Sequence, residues 1–91
     1  MITANVVRAV EELLKERGIE QKEGERLGDY VARGLDLTET EAAAFLEYVH
    51  EGDTVEEAQR KAGITVDGGP RGTLLTDIGR AIGTALGRIS R

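Results

Sequence analysis

The chain has 91 residues, with 12 Lys and Arg against 17 Asp and Glu, for a net charge of −5 at pH 7. This length is enough for one small hydrophobic core, so we expect a single helical domain over residues 1–91. The absence of cysteine excludes disulfides and thiolate zinc sites. No apolar run is long enough to span a bilayer and no signal peptide is recognisable, so we expect a cytoplasmic protein without membrane insertion.

Helix caps and stops divide the first 35 residues into two predicted helices. The first begins after Thr3, a good N-cap residue, and stops at Gly18, where a left-handed C′ residue is favoured. Its apolar residues recur at helical spacing: Val6, Val7, Val10, Leu13 and Leu14. The second helix is predicted over residues 21–33, with Gly34 as its stop.

Two S/T-x-x-E capping boxes predict the next two helices. The first pairs Thr38 with Glu41 and the second pairs Thr54 with Glu57. Gly52 and Gly63 are the expected stops of these helices. Residues 65–72 contain Gly-Gly-Pro and are predicted to form a loop, followed by a last helix over 73–89. The pattern therefore predicts an all-α bundle of about five short helices, with no strand.

Charge is distributed unevenly along the chain. Residues 1–69 carry 8 basic and 16 acidic side chains, for a charge of −8. Residues 70–91 carry four arginines and one aspartate, for a charge of +3. An anionic partner is therefore expected to approach only the C-terminal helix, because the rest of the chain repels it.

The last helix is predicted to be amphipathic. One face carries an apolar stripe that includes Leu75, Ile78 and Ile82, and the opposite face carries Arg80, Thr84, Arg88 and Arg91. Gly79, Gly83 and Gly87 lie four residues apart on the flank and predict unusually close packing, within the monomer or across a dimer. The predicted interface residues are Leu75, Ile78, Gly79, Ile82, Gly83 and Gly87.

The sequence contains no convincing catalytic or metal-binding set. Ser90 is the only serine and His50 the only histidine, so a nucleophile–base pair is not recognisable. Glu47 and His50 form one E-x-x-H half-motif, whereas a di-iron site needs two. We therefore expect a protein that is not an enzyme and has no metal or cofactor.

Residues 37–65 combine helix caps, apolar positions and helix stops in a specific order. The motif consists of Leu37, Thr38, Glu41, Phe45, Tyr48, Glu51, Gly52, Glu57, Ala58, Ala62, Gly63, Ile64 and Thr65. It resembles the helix-turn-helix DNA-binding domain of LuxR-type regulators, and it is similar to the N-terminal domain of phage terminase small subunits. The resemblance implies that the last helix is a recognition helix.

Two functional hypotheses follow. In the first, a small helix-turn-helix-like protein binds or packages DNA through Arg71, Arg80, Arg88 and Arg91. The resemblance implies that Arg80 and Arg88 meet phosphates or guanine edges and that Arg71 lies near the backbone. In the second, a phage-like or mobile-element-like acidic protein binds a protein partner or its own copies along the glycine ridge. We expect a homo-oligomer in either case. A third interpretation, in which the cationic helix lies on an anionic membrane surface, lacks Trp, Phe or Lys anchors.

Overall fold

The computed structural model of the chain describes residues 3–65 and 69–87. Within these residues the secondary structure consists of five α-helices and contains no strand. The helices are α1 (Ala4–Glu16), α2 (Leu27–Leu35), α3 (Glu39–Glu51), α4 (Val55–Ala62) and α5 (Gly69–Ala85). The predicted all-α class and the approximate number of helices are confirmed.

Three of the helices begin at the threonines that the sequence indicates. The Thr3 hydroxyl accepts a hydrogen bond from the Val6 amide at 3.4 Å. Both capping boxes are formed: Thr38 and Glu41 exchange bonds of 3.1 and 2.9 Å, and Thr54 and Glu57 exchange two bonds of 3.2 Å. Each box satisfies amides that have no partner inside the helix, which fixes where α3 and α4 start.

Glycines in a positive-φ conformation end α1, α3 and α4. Gly18, Gly52 and Gly63 have φ values of 81°, 122° and 76°. In each case the amide of the following residue returns to a carbonyl five residues earlier, as in the Ile19-to-Leu14 bond of 3.0 Å. This arrangement is the Schellman motif, which satisfies carbonyls at the helix end. The three predicted stops are confirmed.

The predicted boundaries of the second helix are wrong. Helix α2 runs from Leu27 to Leu35, and its left-handed cap is Asp36, with φ 55°. The Leu37 amide donates to the Ala32 carbonyl at 2.8 Å, so an aspartate takes the role expected of Gly34. Continuing the helix past Gly34 fully buries the Leu35 side chain, which a stop at residue 34 would have left outside the helix.

Residues 20–26, of which 21–26 were predicted to be helical, form a loop held by two side chains of α2. The Arg33 guanidinium binds the Glu25 carboxylate at 2.8 and 3.0 Å and also donates to the Glu20 carbonyl at 2.5 Å. The Tyr30 hydroxyl donates to the Ile19 carbonyl. Gly24 has φ 75°, which interrupts helical geometry inside the loop. Long-range bonds to α2 therefore determine this segment.

The predicted start of the last helix is also wrong, and its regular part is shorter than predicted within the described residues. Helix α5 begins at Gly69, inside the segment predicted to be a loop, because Pro70 lies in the first turn, where its missing amide costs no intrahelical bond. The regular helix ends at Ala85, and Gly87 has φ 77° with its amide bonded to the Thr84 carbonyl at 3.0 Å. The predicted end at Ile89 lies outside the described residues.

The hydrophobic core lies where the five helices meet. Helix α5 packs along α1, and α3 contacts α2, α4 and α5. The apolar stripe predicted for α5 is fully buried at Leu75, Ile78 and Ile82. The fully buried side chains from the other helices include Val6, Val10, Leu14, Val31, Leu35 and Phe45. The apolar face of α5 therefore packs against other helices of the same chain.

Substitution of two glycines of α5 by alanine is expected to have opposite effects. A Cβ at Gly79 would overlap Cγ2 of Val55, whereas a Cβ at Gly83 meets no atom within 4 Å. We expect Gly83→Ala to raise the free energy of unfolding by about 0.5–1 kcal/mol through helix propensity. We expect Gly79→Ala to lower it by about 1–3 kcal/mol through overpacking. Urea denaturation followed by circular dichroism measures both.

The double variant Val55→Ala/Gly79→Ala controls for the cause of the loss at Gly79. It removes the overlapping methyl groups and should recover part of the stability lost in Gly79→Ala. Equal stabilisation by the two single glycine substitutions would contradict the close contact between α4 and α5.

The ion pair that holds the 20–26 loop predicts an acid-sensitive loop. The hydrogen bonds from the Arg33 guanidinium and, second to them, the bond from the Lys22 amide lower the pKa of Glu25 from 4.5 to about 2. A carboxylate with a lowered pKa stabilises the folded state above its unfolded pKa, and that contribution is lost as pH falls from about 4.5 to about 2. A carbon-detected NMR titration of the Glu25 carboxyl should show the low midpoint.

Two arginine variants make this titration specific. Arg33→Gln should raise the Glu25 midpoint toward 4.5, whereas Arg26→Gln, which removes a nearby exposed cation, should change it little. A Glu25 midpoint near 4.5 in the unmodified protein would refute the loop-holding role of Arg33.

Candidate interaction surface on helix α5

The solvent-facing side of α5 is short of charge and carries no exposed carboxylate. Over residues 72–85 the exposed side chains are Thr73, Thr76, Arg80 and Thr84. Arg80 is the most prominent of them, with 73% of its side chain exposed. By contrast, α1, α3 and α4 all expose glutamates. This face of α5 thus differs chemically from the exposed faces of α1, α3 and α4.

The structure places the four predicted nucleic-acid-binding arginines unequally. Arg80 lies on the exposed face of α5, as the helical wheel predicts. Arg71 lies in the first turn of the same helix, and its side chain is outside the described part. Arg88 and Arg91 also lie outside the described residues. Arg80 is therefore the predicted arginine whose side chain the structure describes.

The three predicted ridge glycines occupy three different environments. Gly79 is buried against Val55 at the start of α4. Gly83 lies four residues later and faces open space. Gly87 follows the helix end in a left-handed conformation, which favours glycine. The predicted close packing thus occurs within the chain at Gly79, while Gly83 leaves an open position beside Arg80.

The apolar members of the predicted interface belong to the core of the monomer. The side chains of Leu75, Ile78 and Ile82 have no exposed area. They form an interface between helices of the same chain, and a second molecule would need other side chains of α5 for contact. Gly83 is the predicted interface residue that remains partly exposed within the helix.

A shallow groove lies between α1 and α5. An ion pair between Arg17, which follows α1, and Asp77 of α5 links the two helices. The groove is lined by small or apolar side chains and by charged groups from both helices. These residues are Ala9, Glu12, Leu13, Glu16, Asp77, Arg80, Ala81, Thr84 and Ala85. We call this surface the α1–α5 groove.

The walls of the α1–α5 groove carry opposite charges. Glu12 and Glu16 are exposed on α1, and neither has a hydrogen bond or ion pair with any residue that the structure describes. On the α5 wall, the Arg80 guanidinium lies 4.0 Å from Asp77, whose other carboxylate oxygen is bound by Arg17. The groove therefore offers two solvated carboxylates opposite one weakly paired guanidinium.

A second cleft lies on the other side of Arg80. It is bounded by the end of α3, the start of α4 and α5, and its lining includes Val49, Thr54, Val55, Thr76 and Gly83. The open position at Gly83 belongs to this cleft. Arg80 and Thr84 line both the cleft and the α1–α5 groove, so these two side chains separate the cleft from the groove.

Over 3–65 and 69–87 there is no group of three or more His, Cys, Asp or Glu side chains arranged to hold a metal ion. His50 lies in the last turn of α3, and Glu47 is exposed on the same helix. No helix in the described segments has the length and apolar character needed to cross a membrane.

No protein-family model, curated protein or solved structure matches this chain. The helix-turn-helix resemblance of residues 37–65 therefore stays a prediction. What the structure adds is the α1–α5 groove, which the sequence analysis missed. Its walls are more than 60 residues apart in the chain, and only the alternation of Glu12 and Glu16 with apolar residues of α1 offered a signal.

Proposed function

We propose that this protein is a non-enzymatic protein-interaction module and that the α1–α5 groove is its recognition surface. The observation that carries the proposal is the composition of the groove. Alanines and Leu13 form its floor, and carboxylates and a guanidinium with few partners form its walls. Protein interfaces typically combine an apolar centre with a polar rim in this way.

The small side chains of the floor favour a close partner. Ala9, Ala81 and Ala85 are each partly exposed, so an incoming helix or extended segment can bring its own side chains against the backbone of α1 and α5. Burial of this apolar surface supplies binding energy, while the charged walls select the partner's orientation. The threonine and arginine face of α5 borders the same surface and enlarges it.

Site-specific cross-linking in living cells tests this role. A photoreactive amino acid replaces Thr84, an exposed threonine at the groove wall, or Thr40, an exposed threonine on α3. Under irradiation we expect discrete protein adducts from position 84 and few from position 40. Because both sites are exposed helical threonines, local mobility and accessibility are matched.

Thermal unfolding of the two modified proteins serves as a folding control. Adducts of equal yield from both positions, or none from position 84 in a folded protein, would contradict a protein partner at this groove.

We propose DNA binding through α5 as a second candidate function. The observation that favours it is the exposed face of α5, where Thr73, Thr76, Thr84 and Arg80 stand without an exposed carboxylate. Threonine hydroxyls and an arginine are suitable hydrogen-bond partners for phosphate oxygens. The short threonine side chains also let a DNA backbone approach α5 closely. The charge of +3 over residues 70–91 also supports this candidate, and the acidic body restricts contact to this side.

Fluorescence anisotropy with labelled duplex DNA tests the second candidate. Binding at about 50 mM salt should weaken steeply as salt rises, because phosphate neutralisation releases counterions. Arg80→Gln should weaken binding and reduce the salt slope by about 1, as expected for one lost phosphate contact. Arg26→Gln removes an equal charge from an exposed position on the body and should leave the affinity nearly unchanged.

A lack of binding by the unmodified protein at that salt concentration would exclude the DNA candidate. Equal losses in the Arg80 and Arg26 variants would indicate attraction by overall charge in place of a defined α5 face.

A further inference from the structure

We propose that the α1–α5 groove binds a second copy of this chain, in a two-fold dimer whose axis runs along the groove. This inference rests on the proposed protein-interaction function and names its partner. It is based on the register between the two groove walls and on the signs of their charges.

The two helices that form the groove are antiparallel, and their register can be read from the contacts. Arg17 pairs with Asp77, and Ala9 and Leu13 line the groove together with Ala81 and Ala85. In this register Arg80 stands opposite the middle of the interval between Glu12 and Glu16. With a helical rise of 1.5 Å per residue, Arg80 is offset by only about 3 Å along the groove from each carboxylate.

A two-fold axis along the groove uses this register. Rotation about such an axis places the α1 wall of one copy on the α5 wall of the other and does not shift either wall along the groove. Arg80 of each copy then meets Glu12 and Glu16 of the other copy, and the contact occurs twice. A two-fold axis across the groove would instead place α1 on α1, with glutamates facing glutamates, which is unfavourable.

The monomer leaves these charged groups available for such a contact. Glu12 and Glu16 have no ion pair with the described part of the chain, and the Arg80 side chain is 73% exposed with its nearest carboxylate at 4.0 Å. Between the charged walls, Ala9, Ala81 and Ala85 leave room for the two surfaces to approach, and Leu13 supplies the largest apolar side chain. The charges of the two walls are therefore self-complementary under this rotation.

Charge reversal tests the arrangement in two variants of the full chain. Variant one carries Arg80→Glu, and variant two carries Glu12→Arg and Glu16→Arg. Sedimentation equilibrium should show a dimer for the unmodified protein and at least a tenfold weaker self-association for each variant. An equimolar mixture of the two variants should form a heterodimer with affinity restored, because both intermolecular contacts then pair opposite charges.

A third variant with Glu47→Arg and Glu51→Arg is the matched control, since it reverses two exposed glutamates on α3. It should dimerise like the unmodified protein, and it should associate with variant one more weakly than variant two does, because only one of the two contacts then pairs opposite charges. Circular dichroism establishes that every variant is folded before it is compared.

Two results would overturn the dimer. One is a monomeric unmodified protein at concentrations up to about 1 mM, which corresponds to very weak association. The other is a failure of the mixed variants to associate while both are folded. Adducts of a different protein at position 84 together with a monomeric chain would keep the interaction function and refute the second copy as its partner. Absence of both adducts and dimer would refute both proposals.

Discussion

The packing of α5 along α1 is the contact on which the rest of the structure depends. It brings the first and the last helix together and contributes to the full burial of Leu75, Ile78 and Ile82 of α5. An amphipathic helix used in this way has only its polar face and flanks left for another molecule. The position of Arg80 on that remaining face, and the groove beside it, are both consequences of this single helix pair.

The glycines of α5 show how one residue type serves different constraints. At position 79 the absence of a side chain allows Val55 to lie against the helix, which joins α4 to the core. At position 87 a left-handed conformation follows the end of the helix. Position 83 has neither constraint, so its cost in helix propensity is not compensated by any contact with the residues that the structure describes. The open position at Gly83 therefore leaves space in which another molecule can contact α5.

The sequence predicted the structural features that neighbouring residues determine. It did not predict the features that depend on contacts between residues far apart in the chain. Thr38 and Thr54 bond to residues three positions away, so their capping boxes are visible in the sequence. Both boundaries of α2 are different. Arg33 binds Glu25 and Glu20 across the loop that precedes the helix, and at the other end burial of Leu35 outweighs the local stop signal at Gly34. The α1–α5 groove could not be predicted, since it requires knowing that residues 9–16 face residues 77–85.

The electrostatic setting of Arg80 affects a protein partner and a DNA partner differently. Its guanidinium shares a groove with Glu12 and Glu16 and lies 4.0 Å from Asp77, so a polyanion approaching Arg80 also approaches three carboxylates. Those charges lie on one small surface, and the screening length at physiological salt is about 8 Å, so they weaken attraction of phosphate to this site. A protein surface with charges of both signs suffers no such penalty, because it can place a cation opposite Glu12 and Glu16 and a carboxylate opposite Arg80. The acidic wall of α1 therefore favours a protein partner over DNA at this face, although the isolated C-terminal segment is basic.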